Sequence, residues 1–307
     1  MNLLFTKNNG FPSHPDDMSG RSREIVERYE LPKLTFHGLR HTYASFMVSK
    51  NVNFKIIQEQ LGHVNIQVES SIVKVTFDSI FAGETTKKPS VIFTFDDAWT
   101  SQYEIAFAMM LERGFKGNIG VISNWIGIED EIMSESQIEE MHRHGWDMFN
   151  HSANHKNLTN VTVETAVSEV LTCKNWLNER GYNRASTILA YPYGVHNKEI
   201  VEALQPHLRY ARTLVEGLEP TFPLEALIGK IKNVLTLPAA TLMSYVDQAI
   251  TTQSTLVFCL HKIGTEQDEW ETTYNRNDFS TLLDYIYEKK DLIDVKTISE
   301  WVSGNKS

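Results

Sequence analysis

The sequence predicts an α/β protein, either a β/α barrel or a doubly wound parallel sheet, preceded by a small helical segment. From about residue 70 onward, short runs of β-branched and aromatic residues alternate with helical patterns, as in repeated βα units. Three predicted helices end on a glycine that is followed by an apolar run, at Gly114, Gly145 and Gly181. Glycine there supplies the left-handed backbone that often ends a helix. The 307 residues suffice for one barrel and a short additional segment.

The elements follow in order along the chain. Ser134 and Gln137 predict a capping box at the start of one helix. Residues 1–68 contain two short helical patterns and a concentration of basic side chains, so we place the domain boundary between residues 68 and 69. Strands are predicted at 72–77, 91–95, 118–122, 146–149, 187–189, 209–213 and 256–260, and helices at 100–113, 134–144, 163–180 and 278–290.

Composition excludes several classes of protein. The chain has 29 Lys+Arg against 39 Asp+Glu, and the net charge of −10 opposes a nucleic acid as the main partner. Two cysteines are too few for a disulfide scaffold. No apolar stretch near the start is long enough for a signal peptide or a membrane span, so the chain as written predicts a cytoplasmic protein.

Polar side chains follow four of the predicted strands at the points where these strands end. The carboxyl ends of parallel strands meet on one face of a barrel, so we expect these side chains to form one site. They are Asp96 and Asp97, then His151 and His155, then Tyr193 in a Tyr-Pro-Tyr-Gly turn, and His261.

Asp97, His151 and His155 form a candidate metal site with three protein ligands and an open coordination position. Zinc or another borderline divalent metal suits this set of donors. Taken singly, each motif also has an ordinary interpretation: a solvated acidic pair, a chance pair of histidines, a plain turn or a structural histidine. Aromatic residues near the strand ends are candidates to stack on sugar rings, although packing is their commoner role; they are Trp99, Trp125, Trp270 and Tyr193.

Taken together, the motifs resemble those of the polysaccharide deacetylases of the NodB homology type, carbohydrate esterase family four, over residues 72–303. They are Thr-Phe-Asp-Asp at 94–97, His-Ser-Ala-Asn-His at 151–155, Pro-Tyr-Gly at 192–194 and Leu-His at 260–261. The resemblance implies a distorted β/α barrel that removes acetyl groups from an acetylated glycan, with N-acetylglucosamine units as the expected substrate. It also implies that Asp97, His151 and His155 hold the metal.

The resemblance further implies that Asp96 is the general base, that His261 is the general acid, and that the backbone N–H of Tyr193 contacts the oxyanion. Two positions depart from the family pattern. Ala98 stands where many members have glycine, and Ala190 stands where many have an arginine that pairs with the base. Another group must therefore orient Asp96. The Ala-Tyr-Pro-Tyr-Gly turn resembles the branch that includes deacetylases of poly-N-acetylglucosamine.

Residues 1–68 resemble the C-terminal half of phage integrases, the tyrosine recombinases. The similarity lies in His37-Gly-Leu-Arg40-His41-Thr and Leu61-Gly62-His63, and it implies that His37, Arg40 and His63 match residues that contact the scissile phosphate. It ends near Val68, before the tyrosine nucleophile, so we expect this segment to be inactive in recombination. The alternative functions are a DNA-binding or integration-related protein and a barrel that binds glycan without turnover.

Overall fold

Seven parallel strands form a closed barrel in the computed structural model, which describes residues 88–128, 131–219, 227–269 and 271–303. Neighbouring strands pair in sequence order, and β1 pairs with β7 to close the ring. A short further strand, β10 (Asp294–Val295), pairs with the start of β1. The barrel strands are β1 (Ser90–Phe95), β2 (Asn118–Val121), β3 (Asp147–Asn150), β4 (Ala185–Ala190), β5 (Tyr210–Glu216), β6 (Gly229–Asn233) and β7 (Thr255–Leu260).

Helices follow most of the strands, and two small strands, β8 (Lys262–Gly264) and β9 (Thr273–Asn275), pair beside the barrel. Across the described ranges we find no helix with the length and apolar character needed to cross a bilayer. The helical segments are a π-helical turn (Gln102–Phe107) leading into α1 (Ala108–Leu111), α2 (Glu135–Arg143), α3 (Val163–Glu179), α4 (Lys198–Leu204), α5 (Ala239–Thr252), α6 (Arg276–Glu288) and α7 (Ile298–Ser303).

Strands β1 and β7 are buried on both faces, which explains their continuous apolar runs. Alternate residues of β1 join different clusters. Val91, Phe93 and Phe95 pack against the helices, whereas Ile92 packs with residues of the other strands, among them Cys259 of β7. The second cluster fills the barrel interior.

Helix α7 covers the amino ends of the strands. Its Ile298 and Trp301 join the interior cluster. The buried Asp147 carboxylate, at the start of β3, accepts hydrogen bonds from the Ser299 backbone N–H and from Arg184 Nε, both at 2.9 Å. Asn118, at the start of β2, accepts one from the Ile298 N–H at 2.7 Å. The opposite, carboxyl-end face is thus left for a site.

The structure confirms the predicted strands and helices from residue 91 onward, with shifts of a few residues at their ends. Gly114, Gly145 and Gly181 have φ of 69°, 87° and 78°, and Ser134 caps α2 with the predicted capping box. The doubly wound alternative is wrong, because β1 and β7 close the sheet. The sequence analysis missed the strands β6, β8, β9 and β10 and the helices α4, α5 and α7. The predicted strand 72–77 and the boundary at 68/69 lie outside the described residues and stay predictions.

Replacing Asp147 by alanine is expected to lower the free energy of unfolding by about 2–4 kcal/mol. The hydrogen bond from the Ser299 N–H to the buried charge contributes roughly 1.5–3 kcal/mol, and the pair with the partly exposed Arg184 contributes about 0.5–1 kcal/mol. Urea unfolding measures the change. Asp291→Ala, at an exposed position, is the control and should change stability by less than about 0.5 kcal/mol. Equal stability of the two variants would contradict the anchoring role of Asp147.

Candidate active site

A cavity of about 340 Å³ opens at the carboxyl ends of the barrel strands. It gathers residues that are far apart in the sequence but follow the ends of β1, β3, β4 and β7. The structure brings together all six residues that the sequence analysis predicted for this face. Asp96, Asp97, His151, His155, Tyr193 and His261 line the cavity.

Three of these residues form the candidate metal site. The Nε2 atoms of His151 and His155 lie 3.5 and 3.7 Å from Oδ1 of Asp97. Ligands held about 2.0–2.2 Å from a tetrahedral zinc ion lie about 3.3–3.6 Å from one another, so the three atoms are spaced for one ion. Asp97 Oδ1 is buried and accepts no hydrogen bond from the described residues, as expected of an atom that awaits a cation. The donor set therefore fits a divalent metal.

The histidine rings are oriented by groups outside the ligand set. The Nδ1 atom of His151 lies 2.9 Å from the Ala190 carbonyl oxygen, an interaction that leaves Nε2 free to bind a metal. His155 follows a tight loop in which its N–H donates to the Ser152 hydroxyl. The ring of Tyr193 lies over the imidazole of His155, with 4.5 Å between centroids.

Glu169 of α3 fixes this loop from below. Its buried carboxylate accepts hydrogen bonds from the backbone N–H and the side-chain amide of Asn154, each at 2.9 Å, and it pairs with Lys156 at 2.8 Å. Lys156 and these amide donors hold the pKa of Glu169 below its usual value despite its burial.

The two carboxylates of the site have different surroundings. Asp96 lies deeper, where Arg212 Nη2 of β5 donates to its Oδ1. Oδ2 faces the Cys259 thiol at 3.6 Å and His151 Nε2 at 3.8 Å. Burial acts to raise the pKa of Asp96, but Arg212 and the two nearby histidines, His151 and His261, lower it by more, so the pKa falls well below its usual value.

Arg212 takes the place of the arginine that the family pattern puts at position 190. Ala190 of β4 and Arg212 of β5 are direct partners in the parallel register, so the side chain reaches Asp96 from the neighbouring strand at the same level. Arg212 is almost fully buried. The sequence analysis missed it, although Arg212 lies in the middle of a predicted strand, where a charged side chain is unusual.

His261 follows β7, the strand that pairs with β1, and lines the same cavity as the carboxylates. One ligand-type atom from each of Asp96, Cys259 and His261 lies within 4.8 Å of the others. Burial raises the pKa of the Cys259 thiol, which is therefore neutral at pH 7 and donates its proton towards Asp96. Asp96 and His261 thus form a pair of titratable groups beside the metal donors.

The two metal-site histidines have pKa values shifted in opposite directions. Burial acts to lower the pKa of His151, but Asp96 and Asp97 raise it by more. Burial and the neighbouring His151 lower the pKa of His155 to about 4. His155 is therefore neutral at pH 7 and available as a ligand.

The predicted aromatic residues have different roles. Trp99 lines the cavity, where its Nε1 donates to Asp97 Oδ2 at 3.1 Å and the Lys262 ammonium lies over its ring. Trp125 packs near His155. Tyr193 is 58% exposed and remains available to a ligand. Trp270 and the integrase-like residues His37, Arg40 and His63 lie outside the described residues.

Two families match the chain. Residues 83–208 match the polysaccharide deacetylase family, and residues 1–72 match the phage integrase family. In fold, the chain is similar to the 4-α-glucanotransferase of Thermococcus litoralis, with a TM-score of 0.51 and 14% identity over 72% of this chain and 41% of that one.

Relatives of both kinds are found. The Bacillus subtilis protein YxkH, which bears the name of a polysaccharide deacetylase, is 33% identical over 39% of this chain and 43% of the relative. The poly-β-1,6-N-acetyl-D-glucosamine N-deacetylase of Staphylococcus epidermidis is 27% identical over 42% of this chain and 49% of the relative. A tyrosine recombinase of Thermosipho africanus is 36% identical over 22% of this chain and 25% of the relative.

The chain thus spans less than half the length of each of these relatives. Residues 83–208 include strands β1 to β4 and three of the four motifs, whereas Leu260-His261 lies beyond that range. By these matches, residues 83–208 are similar to the polysaccharide deacetylase family, and residues 1–72 are similar to the phage integrase family.

Proposed function

We propose that the barrel catalyses metal-dependent hydrolysis of acetyl groups from an acetylated polysaccharide. One observation carries the proposal: a single cavity holds three metal donors, among them a carboxylate oxygen that accepts no hydrogen bond from the described residues, beside the pair Asp96 and His261. A metal, a base and an acid together form one set of groups that can hydrolyse an amide.

Asp97, His151 and His155 would hold the metal, with zinc as the ion that best suits this donor set. When bound, a zinc ion supplies a Lewis acid for the acetyl carbonyl and lowers the pKa of a water molecule. Asp97 is held by Trp99 and His151 by the Ala190 carbonyl, so the ligand atoms are oriented before binding.

Asp96 accepts the proton of the attacking water in this proposal. Arg212 binds its Oδ1, and Oδ2 faces the site. The lowered pKa keeps Asp96 ionised at neutral pH, as a proton acceptor must be. His261, on the adjacent strand end, donates a proton to the departing amine. The backbone N–H of Tyr193 is the proposed donor to the oxyanion.

The proposed substrate is a polymer that contains N-acetylglucosamine. The staphylococcal relative is named for such a substrate. Exposed apolar side chains at the cavity, Tyr193 and Leu214, offer surfaces for the flat faces of sugar rings. Acetate release from acetylated chitooligosaccharides, peptidoglycan fragments and acetylxylan tests both the activity and the substrate class. If no member of this panel releases acetate with metal-loaded protein, the proposal is wrong.

DNA binding by residues 1–72 is the second candidate function, favoured by the match to the phage integrase family. The net charge of −10 opposes phosphate contacts unless basic residues are grouped locally. His37, Arg40 and His63 are the residues that would make these contacts.

His151→Ala is expected to remove most of the bound metal, because only two protein ligands remain. Elemental analysis of purified protein measures the loss. His144→Ala is the matched control, since this exposed histidine lies at the end of α2 and outside the cavity. Equal metal content in both variants would overturn the ligand assignment.

Asp96→Asn is expected to lower the rate of acetate release by about 10²–10⁴-fold with nearly unchanged metal content, because asparagine cannot accept a proton at neutral pH. Asp97→Asn is the comparison and should lose both metal and activity. Retention of more than roughly a tenth of the wild-type rate by Asp96→Asn, against that expected loss, would show that the base lies elsewhere.

Arg212→Met is expected to lower kcat by about 100-fold, since a carboxylate displaced by about 1 Å loses that much. It should also lower stability by about 3–5 kcal/mol, because a buried charge is left unpaired. In the double variant, Ala190→Arg places a guanidinium on the residue that pairs with position 212. This second substitution should restore part of the lost kcat and part of the lost stability. Thermal melting and acetate release check this. If the double variant folds but recovers neither kcat nor stability, an arginine at position 190 cannot replace Arg212, and the prediction is wrong.

A further inference from the structure

Gln102 lies behind the cavity and joins the two strand ends that carry the proposed base and acid. Its side chain is fully buried at the first position of the π-helical turn. The Nε2 atom donates to the Asp96 carbonyl oxygen and, at 3.0 Å, to the His261 carbonyl oxygen. One amide group therefore contacts the backbone of both residues.

The position of this amide in the barrel gives it a specific effect. The β1–β7 ladder ends at the pair Phe95 and Leu260, followed by a last bond from the Asp96 N–H to the Leu260 carbonyl at 2.9 Å. Beyond that bond, the Gln102 amide links the two strands in place of backbone pairing. Neighbouring Ser101 adds a second tie, because its hydroxyl accepts from the Ile263 N–H.

Glutamine suits this role for chemical reasons. Its amide nitrogen carries two protons, so it can donate to two carbonyl oxygens at once. In the observed orientation, Oε1 accepts no hydrogen bond from the described residues. With the amide turned over, Oε1 would face two carbonyl oxygens, and oxygen atoms repel one another. Asparagine, one methylene shorter, cannot reach both carbonyls from the same backbone position. Methionine has a similar length but no donor.

We propose that Gln102 is a positioning residue that sets the distance between Asp96 and His261. The proposal rests on the deacetylase function proposed above. Asp96 must reach the attacking water while His261 reaches the leaving nitrogen, so both have to lie within hydrogen-bond distance of one substrate. Without the Gln102 amide, two buried carbonyl oxygens lose their shared donor and the strand ends are free to separate.

The test compares two substrates that differ in their need for an acid. An amine leaves an acetamide only when it is protonated, whereas nitrophenolate leaves 4-nitrophenyl acetate without a proton. Gln102→Met should lower kcat for an N-acetylglucosamine oligomer by about 10–100-fold, part of the 10²–10⁴-fold contribution of acid–base catalysis. KM should stay within about twofold and the ester rate within about threefold, because the metal site and cavity are retained and Arg212 still holds Asp96, whereas His261 loses its contact with Gln102.

Gln137→Met is the matched control. This glutamine caps α2, so its loss should lower the melting temperature without changing the ratio of amide to ester rates. Gln102→Asn is the second variant and keeps a buried amide if Gln102→Met does not fold. It should show the same selective loss.

Equal losses on the amide and the ester, or no loss on either, would overturn the role of Gln102. Absence of acetate release by the wild-type protein from any acetylated glycan would instead overturn the proposed function and the role that rests on it. The metal content of every variant should match that of the wild-type protein. Loss of metal in Gln102→Met would assign the residue to the metal site and overturn the positioning role.

Discussion

The ladder between β1 and β7 is the contact on which the site depends. Six consecutive pairs, from Ser90 with Thr255 to Phe95 with Leu260, join the first and last strands of the barrel. The ladder closes the barrel and brings residues 96 and 261 to the same edge. β1 also pairs with β2, so the strand that carries both carboxylates is held on both sides. The proposed base and acid are therefore set by backbone pairing before any side chain contributes.

Burial of charge is the main cost of this arrangement. An isolated ion in the barrel interior would cost several kcal/mol, so Asp96 and Arg212 are stable there only as a pair. The pair also gives the two oxygens of the Asp96 carboxylate different partners. Arg212 binds Oδ1, whereas Oδ2 faces His151 and the Cys259 thiol. The interaction that makes burial tolerable is thus the one that orients the oxygen facing the cavity.

The sequence predicted six of the seven barrel strands and six of the residues that line the cavity, because each of these six residues follows a strand whose apolar pattern is plain. Arg212 and Gln102 were missed for physical reasons. Arg212 reaches the site because it pairs with Ala190 on the neighbouring strand, and the residue pattern within one strand does not show which residues pair between strands. Gln102 acts through its contacts with two backbone carbonyls, and any glutamine in a helix has the same local pattern. β6 (Gly229–Asn233) was missed because two of its five residues are lysines and it has no apolar run.

Backbone strain is concentrated at the same face as the proposed chemistry. Asp97, Ala98, Ser152, His155 and Tyr193 all have left-handed φ, between 55° and 74°, although none is glycine. Each such residue costs about 1–3 kcal/mol and keeps this conformation only where the surroundings fix it.

Local hydrogen bonds supply that constraint. The Ala98 carbonyl accepts from the Met133 N–H, the Ser152 N–H donates to Asn150 Oδ1, and Glu169 binds the loop before His155. This explains how Ala98 is tolerated where glycine is common in the family that the motifs resemble: its φ of 62° suits glycine, and the Met133 bond holds the alanine there. The turns after β1, β3 and β4 adopt strained backbone conformations that direct their side chains into one cavity. The stability that the barrel gains from its ladders and apolar clusters offsets this strain.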